Sequence, residues 1–486
     1  MVDLIIKNAQ MVFPEGIIRG GVAIEGAKIV AVAKDDHLPQ ARRVIDAQGK
    51  NLLPGVVDPH VHLAPASTPG YAPPGYPVPG LKEAEQIFEE DCRTNSIMCA
   101  ITGVTTYGHF IHAGPKQKTN LDMFKSYKEC AERTMMTDIF FHALISSDEH
   151  IEEIPKLAEA GITSVKVMYD AYKGPDGSFA GLFGVSDEQM LSIMGKVADV
   201  MDLGYQGAWV MFHAENQDII YKIRDKFKAM DRNDLAVWSE SRPKLVELEM
   251  MRRAINMVKA IKIIRTPPPL YVCHMTLAED VDIVAQTKAE GEIRIGSETG
   301  PQWLLLTKDD QHLGSLGKVN PPLRDRSDCE KLWIGVREGI IDCIGTDHIA
   351  SMKMASKPSE IWRAVSGFPG EASLPLMLSE GVNKGRISLP KLVEVMCSNP
   401  ARFFGIYPQK GAIAPGSDAD LVLVDLKKRQ KIKKETIQSP AEFSCFDGWD
   451  VTGWPVMTMV RGQVIFEDGK VIGKPGTGRY IPRTKA

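Results

Sequence analysis

Between residues 54 and 405, short apolar runs with the two-residue period of a strand alternate with longer stretches of helical period. GVTTYGHF, IFFHALIS, TSVKVMY, GAWVMFHA, PLYVCHMT, EIRIGSET and IDCIGTDH are the strand-like runs. A helical stretch follows each, as in EEIPKLAEAG (152–161), where Ile154, Leu157 and Ala158 share one face before a glycine stop. Strand and helix repeated about eight times predict a (β/α)8 TIM-type barrel. In that fold, chemistry sits where strands end and loops begin, and several of these runs finish in His, Lys or Asp.

The flanks have a different character. Residues 1–53 alternate short apolar runs with Gly and Asn, as in GVAIEGAKIVAVA, which predicts a small antiparallel sheet without helix. The same style returns in 406–473, in DADLVLVDL and PVMTMVRGQVIFEDGKVI. Two β-rich ends around a long α/β middle predict one small β-sandwich domain assembled from both chain ends, beside a barrel over 54–405. With 486 residues, the chain exceeds what one hydrophobic core usually serves. The tail 474–486 reads as extended, either packed on a neighbouring subunit or disordered. The Pro/Gly-rich stretch 64–80 reads as a surface excursion or an active-site lid.

Charge narrows the partners. A formal net charge of -4, with no basic run, gives no footprint for nucleic acid or a membrane surface. Small neutral or weakly charged molecules are the expected ligands. MVDLIIKNAQMVF reads as a strand, not a signal peptide. No apolar segment reaches the roughly 18 residues needed to span a bilayer. Eight scattered cysteines without a CxxC pair predict reduced thiols and a cytoplasmic protein.

Of eleven histidines, four stand at telling places. His60 and His62 in PGVVDPHVHL are two apart, so on a strand both imidazoles point to one face. His213 in VMFHAEN, His274 in YVCHMT and Asp347 in IGTDHI each end an apolar run. Imidazoles and a carboxylate suit Zn²⁺ or a similar borderline cation. These five hold one metal well and are too few for two metals that share ligands. Lys166 in GITSVKVMYDAY supplies the missing piece, since an unpaired ammonium at the end of a buried strand is costly. A neutral amine there can react with CO₂ to give a carbamate whose two oxygens bridge two cations, and burial beside dications favours that form.

PGVVDPHVHL, GVTTYGHF, GITSVKVM, FHAEN, YVCHMT, SETGPQWLLL, NPPLR, IGTDH and SNPARFFGIYPQKGAIAPGSDADLVLVDL follow one another over about residues 1–470. In that ordered set the chain resembles the hydantoinase/dihydropyrimidinase family of cyclic amidohydrolases, within the amidohydrolase superfamily. The resemblance implies a binuclear metal-dependent hydrolase that opens a hydantoin, dihydropyrimidine or cyclic imide by a metal-bridging hydroxide. It implies His60, His62 and Asp347 on the more buried ion, His213 and His274 on the outer ion, and carboxylated Lys166 between them. Zinc is usual in the family. Asp347 would also take the proton of the hydroxide and pass it to the departing nitrogen. Ser297 and Asn320 occupy places where relatives bind the imide edge of the substrate through backbone groups. Relatives form dimers and tetramers, so a homodimer or homotetramer is expected.

The chain departs from the family at one informative position. Typical hydantoinases carry an oxyanion-stabilising tyrosine five residues after the bridging lysine, where this chain has Ala171, with tyrosines at 169 and 172. Either Tyr172 fills that role by a one-residue shift or another group does, with His109 at the end of the second strand-like run a candidate. The stretch after His62 also lacks the arginine with which dihydroorotases hold a carboxylate. Hydrolysis of an acyclic amide, carbamate or urea is the alternative activity, and a non-catalytic scaffold role, known for family members that lost their ligands, is the minor one. His348 is read as a support for Asp347 and His142 as structural, while His37, His112, His150 and His312 have no paired context. The methionines of 190–211 are read as core.

Overall fold

The structure, a computed structural model, describes residues 1–64, 80–113, 119–168 and 184–485. Five strands open the chain: β1 (Val2–Phe13), β2 (Gly16–Glu25), β3 (Lys28–Ala33), β4 (Ala41–Asp46) and β5 (Asn51–Pro54). The barrel strands follow as β6 (Val56–His62), β7 (Val104–Ile111), β8 (Asp138–Leu144), β9 (Val165–Met168), β10 (Val210–His213), β11 (Leu270–Val272), β12 (Ile295–Thr299), β13 (Cys343–Ile344) and β14 (His348–Ile349). The chain closes with β15 (Leu421–Lys431), β16 (Asp450–Val460), β17 (Gln463–Glu467) and β18 (Lys470–Val471).

β6 to β13 pair in sequence order, and β14 returns to β6. β13 and β14 are the two ends of one run, 343–349: Cys343 pairs with Glu298 on one side, and His348 pairs with Val61 on the other. The parallel sheet therefore closes on itself through that run, as the eightfold repeat predicts. Helices Leu81–Thr102, Asn120–Thr134, Asp148–Glu159, Asp187–Asp202, Lys244–Lys262, Ala278–Glu290 and Arg326–Glu338 cover the outside between strands. In the third of these Ile154, Leu157 and Ala158 are buried, as the periodicity predicts. Thr119, Ser147 and Ser186 cap three of them by accepting a first-turn N–H, each worth about 1 kcal/mol. Gly103 ends the first at φ +86°, where a Cβ would also lie 2.8 Å from Leu374, so only glycine serves both demands.

The second domain is one mixed nine-stranded sheet, with both chain ends joined where Leu52 of β5 meets Leu423 of β15. It is not wholly antiparallel as expected: β1 runs parallel to β4 and to β5. The twelve residues of β1 are long enough to pair with each over a different stretch. The two ends of the sheet come together, since a Cβ on Gly462, between β16 and β17, would lie 2.3 Å from the Gly26 carbonyl oxygen between β2 and β3. Leu4, Ile6, Val22 and Ile24 share this core with Leu421, Leu423, Met457 and Met459.

The tail, expected on a neighbour or disordered, instead crosses the N-terminal ends of the barrel strands of its own chain. Ile139 N–H donates to Arg479 O, Ile481 N–H to Ile139 O and Gln206 N–H to Thr484 O. The buried Arg483 guanidinium donates to Thr163 Oγ1 at 3.2 Å and Ser164 Oγ at 3.1 Å. Alongside it, Lys410 is fully buried against Asp138 of β8, Asp418 at 3.0 Å and Asp420 at 2.7 Å, the last two just ahead of β15. This amine fastens the barrel floor to the end-built sheet.

Removing Lys410 strands three buried carboxylates, and breaking a buried pair costs about 3–5 kcal/mol. Lys410→Met is therefore expected to unfold at clearly lower urea and temperature than the parent. A variant as stable as the parent would show that the cluster holds nothing together.

Candidate metal centre

β6 is buried along its whole length, and its alternation turns His60 and His62 to the same side. Their Nε2 atoms lie 3.2 and 3.1 Å from the same oxygen, Asp347 Oδ1. Asp347 sits in the run that closes the barrel, at φ +49°, a left-handed conformation that Asp adopts more readily than most residues. Asp58 ties this run to β6: it accepts from His60 N–H at 3.2 Å, Thr346 N–H at 3.1 Å and Thr346 Oγ1 at 2.6 Å. Burial pushes the Asp58 carboxyl up to about 7 against those hydrogen bonds. Burial would also raise Asp347, but His60 and His62 outweigh it and hold that carboxyl well below its usual range.

The other nitrogen of His60, Nδ1, is hydrogen-bonded to Glu298 of β12, whose second oxygen accepts from Tyr271 O–H at 3.0 Å. A carboxylate on one ring nitrogen fixes tautomer and orientation and leaves Nε2 for a metal. Burial lowers the affinity of His60 for a proton, yet Glu298 and Asp347 carry it well above the ordinary imidazole value. His60, Cys273 and Glu298 also lie close enough to hold an ion. Since Nδ1 is already engaged by Glu298, that trio supports His60, and His60, His62 and Asp347 are the set that converges on open ligand atoms.

A second imidazole pair stands beside the first. His213 Nδ1 is 3.1 Å from His274 Nε2, and the His274 ring centroid is 5.4 Å from that of His60. Glu215 accepts from His213 Nε2 at 2.7 Å and from Arg242 at 2.8 Å. Burial raises Glu215, but Arg242 and His213 bring its carboxyl down to about 2. Lys166, in β9 and paired in register with Met211, is 3% exposed, and its Nζ has no hydrogen-bond partner among the described residues. It stands 5.5 Å from the centre of the Phe110 ring, which also packs on His60 and His62. Burial, then Lys166, depress His274 well below the usual imidazole value. Four convergent imidazoles, one carboxylate and an orphaned amine form a donor set that fits divalent cations and leaves the amine in need of an acidic group.

The sequence matches the amidohydrolase family over residues 51–465. The L-hydantoinase of Paenarthrobacter aurescens is 35% identical over 99% of this chain and 98% of its own, and the D-hydantoinase of Ralstonia pickettii is 30% identical over 99% of each. This chain belongs to the amidohydrolase family, among its hydantoinases. Solved structures agree: the L-hydantoinase (dihydropyrimidinase) from Arthrobacter aurescens superposes with a TM-score of 0.86 at 34% identity, covering 99% of this chain and 100% of that one. The dihydropyrimidinase from Brevibacillus agri NCHU1002 gives 0.85 at 29% identity, covering 99% and 98%. Amidohydrolases work with divalent metal ions, and the donor set described above is where this member would hold them.

Within this hydantoinase scaffold the remaining candidate residues separate. Asn320 lies in a loop held close to the centre: Trp238 Nε1 donates to Val319 O and Trp303 Nε1 to Pro321 O, both at 3.0 Å, while the Trp303 ring stands 5.7 Å from His274. Asn320 Oδ1 has no hydrogen-bond partner among the described residues. Ser297 does not join the site. Its N–H donates to Asp342 Oδ2, its C=O accepts from Asp342 N–H and its hydroxyl donates to Ile340 O, because strand alternation turns Glu298 inward and Ser297 out. His109 is likewise on the helix side of β7. Its ring packs on Phe88 and Tyr127, and Nδ1 faces Leu63 N–H, so Phe110 and not His109 reaches the centre. Burial lowers His109 to about 3.

Tyr172 and nearly all of the 64–80 stretch lie outside the described residues. His348 Nε2 faces Asn95 Oδ1 at 2.8 Å, and its Nδ1 accepts from Gly370 N–H, which anchors the residue after Asp347. His142 is structural, between Ser164 and Pro59 O. His112 and His150, read as unpaired, meet through Ser146 Oγ at 3.1 and 3.3 Å. Asp58, Glu215 and Glu298 complete the surroundings of these imidazoles and have only a faint sequence signal, a carboxylate two residues from a strand-end histidine or a charge inside a buried strand.

Glu298→Gln keeps the shape of the side chain but removes the charge that orients His60. Loss of such a partner typically costs 10–100-fold in metal affinity, and chelator competition is expected to read a loss of about that size for an ion that His60 and His62 would hold. Unchanged affinity would mean that Glu298 only fills space.

Proposed function

We propose that the protein hydrolyses a ring amide of the hydantoin, dihydropyrimidine or cyclic imide type, with two divalent cations, zinc by family habit, in this centre. His60, His62 and Asp347 would hold one ion and His213 and His274 the other, with Lys166, carboxylated by CO₂, as a ligand to both. The observation that carries this reading is the Lys166 amine, buried without a hydrogen-bond partner among the described residues and facing the two imidazole pairs. Carboxylation would replace an unpartnered buried amine by a group whose oxygens can accept from or bind a cation.

When bound, the cations lower the pKa of water and polarise the amide carbonyl. The protein's own groups do the rest. Asp347, held ionised by its imidazole neighbours, accepts a proton at its carboxylate as water adds to the carbonyl carbon and returns it to the ring nitrogen as the C–N bond breaks. Because that nitrogen remains tethered through the ring, one water is consumed and one open-chain acid leaves. Asn320, fixed by the two indole hydrogen bonds to its neighbours, is the group we assign to the imide edge. Tyr172 is the donor we assign to the developing oxyanion. The relatives include an L- and a D-hydantoinase, so the preferred hand of the substrate is to be measured.

The deciding experiment is turnover of hydantoins, dihydropyrimidines, cyclic imides, allantoin and open-chain amides by metal-replete protein. Ring substrates are expected to be opened, and a preference for open-chain amides or no turnover at all would overturn the reading. Lys166→Ala is expected to lose most activity and bound metal, with part of both restored by a small carboxylic acid in the buffer. A fully active alanine variant would remove the carbamate from the mechanism.

A further inference from the structure

Three loops carry the outer half of the centre, and one buried side chain reaches all of them. Arg324 is 4% exposed. Its Nη1 donates to Arg242 O at 2.6 Å, its Nη2 to Glu247 Oε2 at 3.0 Å and its Nε to Thr276 Oγ1 at 3.2 Å. These contacts lead to two parts of the site. Arg242 continues through Glu215 to His213 Nε2. Thr276 is two residues beyond His274, and it also donates to Glu247 through its N–H at 3.2 Å and its hydroxyl at 2.8 Å. Arg324 itself ends the segment that begins with Asn320, the group assigned to the substrate.

Neighbouring geometry makes this junction consequential. His274 holds φ +38°, a sparsely populated conformation for a residue that is not glycine, and such conformations persist only where the surroundings over-determine them. Thr276 pinned to Arg324 and Glu247, with Met275 O accepting from Thr299 Oγ1 at 2.9 Å, supplies that constraint. A planar guanidinium presents donors in a fixed fork, so its three acceptors keep a fixed separation. A lysine, a single point charge, would satisfy Glu247 and leave the other two loose.

Resting on the two-metal reading above, we propose that Arg324 is a positioning residue that couples the outer metal site to the substrate loop. It sets the spacing of His213 and His274 through Arg242 and Thr276, and by the same fork it sets where Asn320 stands. Occupancy of the outer site and affinity for the ring substrate are then linked, and by thermodynamic reciprocity each strengthens the other.

The test is zinc binding to metal-free protein, read by competition with a chromophoric chelator, alongside steady-state kinetics, for the parent, Arg324→Lys and Thr276→Val. Both variants keep a charge opposite Glu247. Each is expected to bind the first ion as the parent does and the second about 10–100-fold more weakly, the range for loss of a group that orients a ligand. KM for a hydantoin is expected to rise, and excess zinc to restore kcat. If Arg324→Lys binds both ions with the parent's affinities at an unchanged KM, the coupling role is wrong and Arg324 is a structural ion pair. Should Arg324→Lys fail to fold, Thr276→Val alone decides, because it leaves the Arg324–Glu247 pair in place. A parent protein that binds fewer than two ions would instead overturn the two-metal reading, and the two failures are thereby told apart.

Discussion

The barrel closes on a carboxylate. β13 and β14 complete the ring of strands from opposite sides, and Asp347 stands in the gap between them with His60 and His62 on one of its oxygens. Asp58 bonds across that closure to Thr346 and to the backbone of His60. Closure of the sheet is therefore what brings Asp347 to His60 and His62. A barrel open at this point would leave two imidazoles without their carboxylate, and a displaced Asp347 would leave β6 without the neighbour that ends the sheet.

Two lysines illustrate how a dry interior treats a cation. Lys410 is surrounded by Asp138, Asp418 and Asp420, and that company keeps it charged, raised above its ordinary value despite complete burial. Among the described residues Lys166 has no carboxylate in contact, and its nearest described charged neighbours are imidazoles. The first arrangement is a clamp between domains. The second makes sense as a chemical handle, an amine whose surroundings reward its conversion to an acid. Residue type alone separates the two no better than it separates His62 from His109; what surrounds each side chain does.

Much of this was legible because it was local. Alternating periods announced the barrel, and HxH spacing on a strand announced that His60 and His62 share one side. That His213, His274, Lys166 and Asp347 gather beside them follows from strand ends in such a barrel facing one opening. What escaped depends on parity and on distance. A one-residue step inverts a strand, so Glu298 and not its neighbour Ser297 turns inward, and Phe110 and not His109. The meeting of His112 with His150 through Ser146, and of Arg324 with Thr276 and Arg242, joins segments far apart in the chain whose approach no local pattern records. The parallel pairing of β1 with β4 and β5 escaped for the same reason, since alternation predicts a strand but not its neighbour's direction.

The pairing of Leu52 with Leu423 has a consequence for the life of the chain before it is an enzyme. During synthesis β5 emerges long before β15, and every barrel strand must be made in the interval. Throughout that time one side of β5 offers unpaired backbone N–H and C=O groups, an edge open to any other extended segment. Contacts of such wide sequence separation form slowly, since a long loop must close before they contribute. The nascent chain thus carries a sticky border until its own late-made strand arrives to cover it.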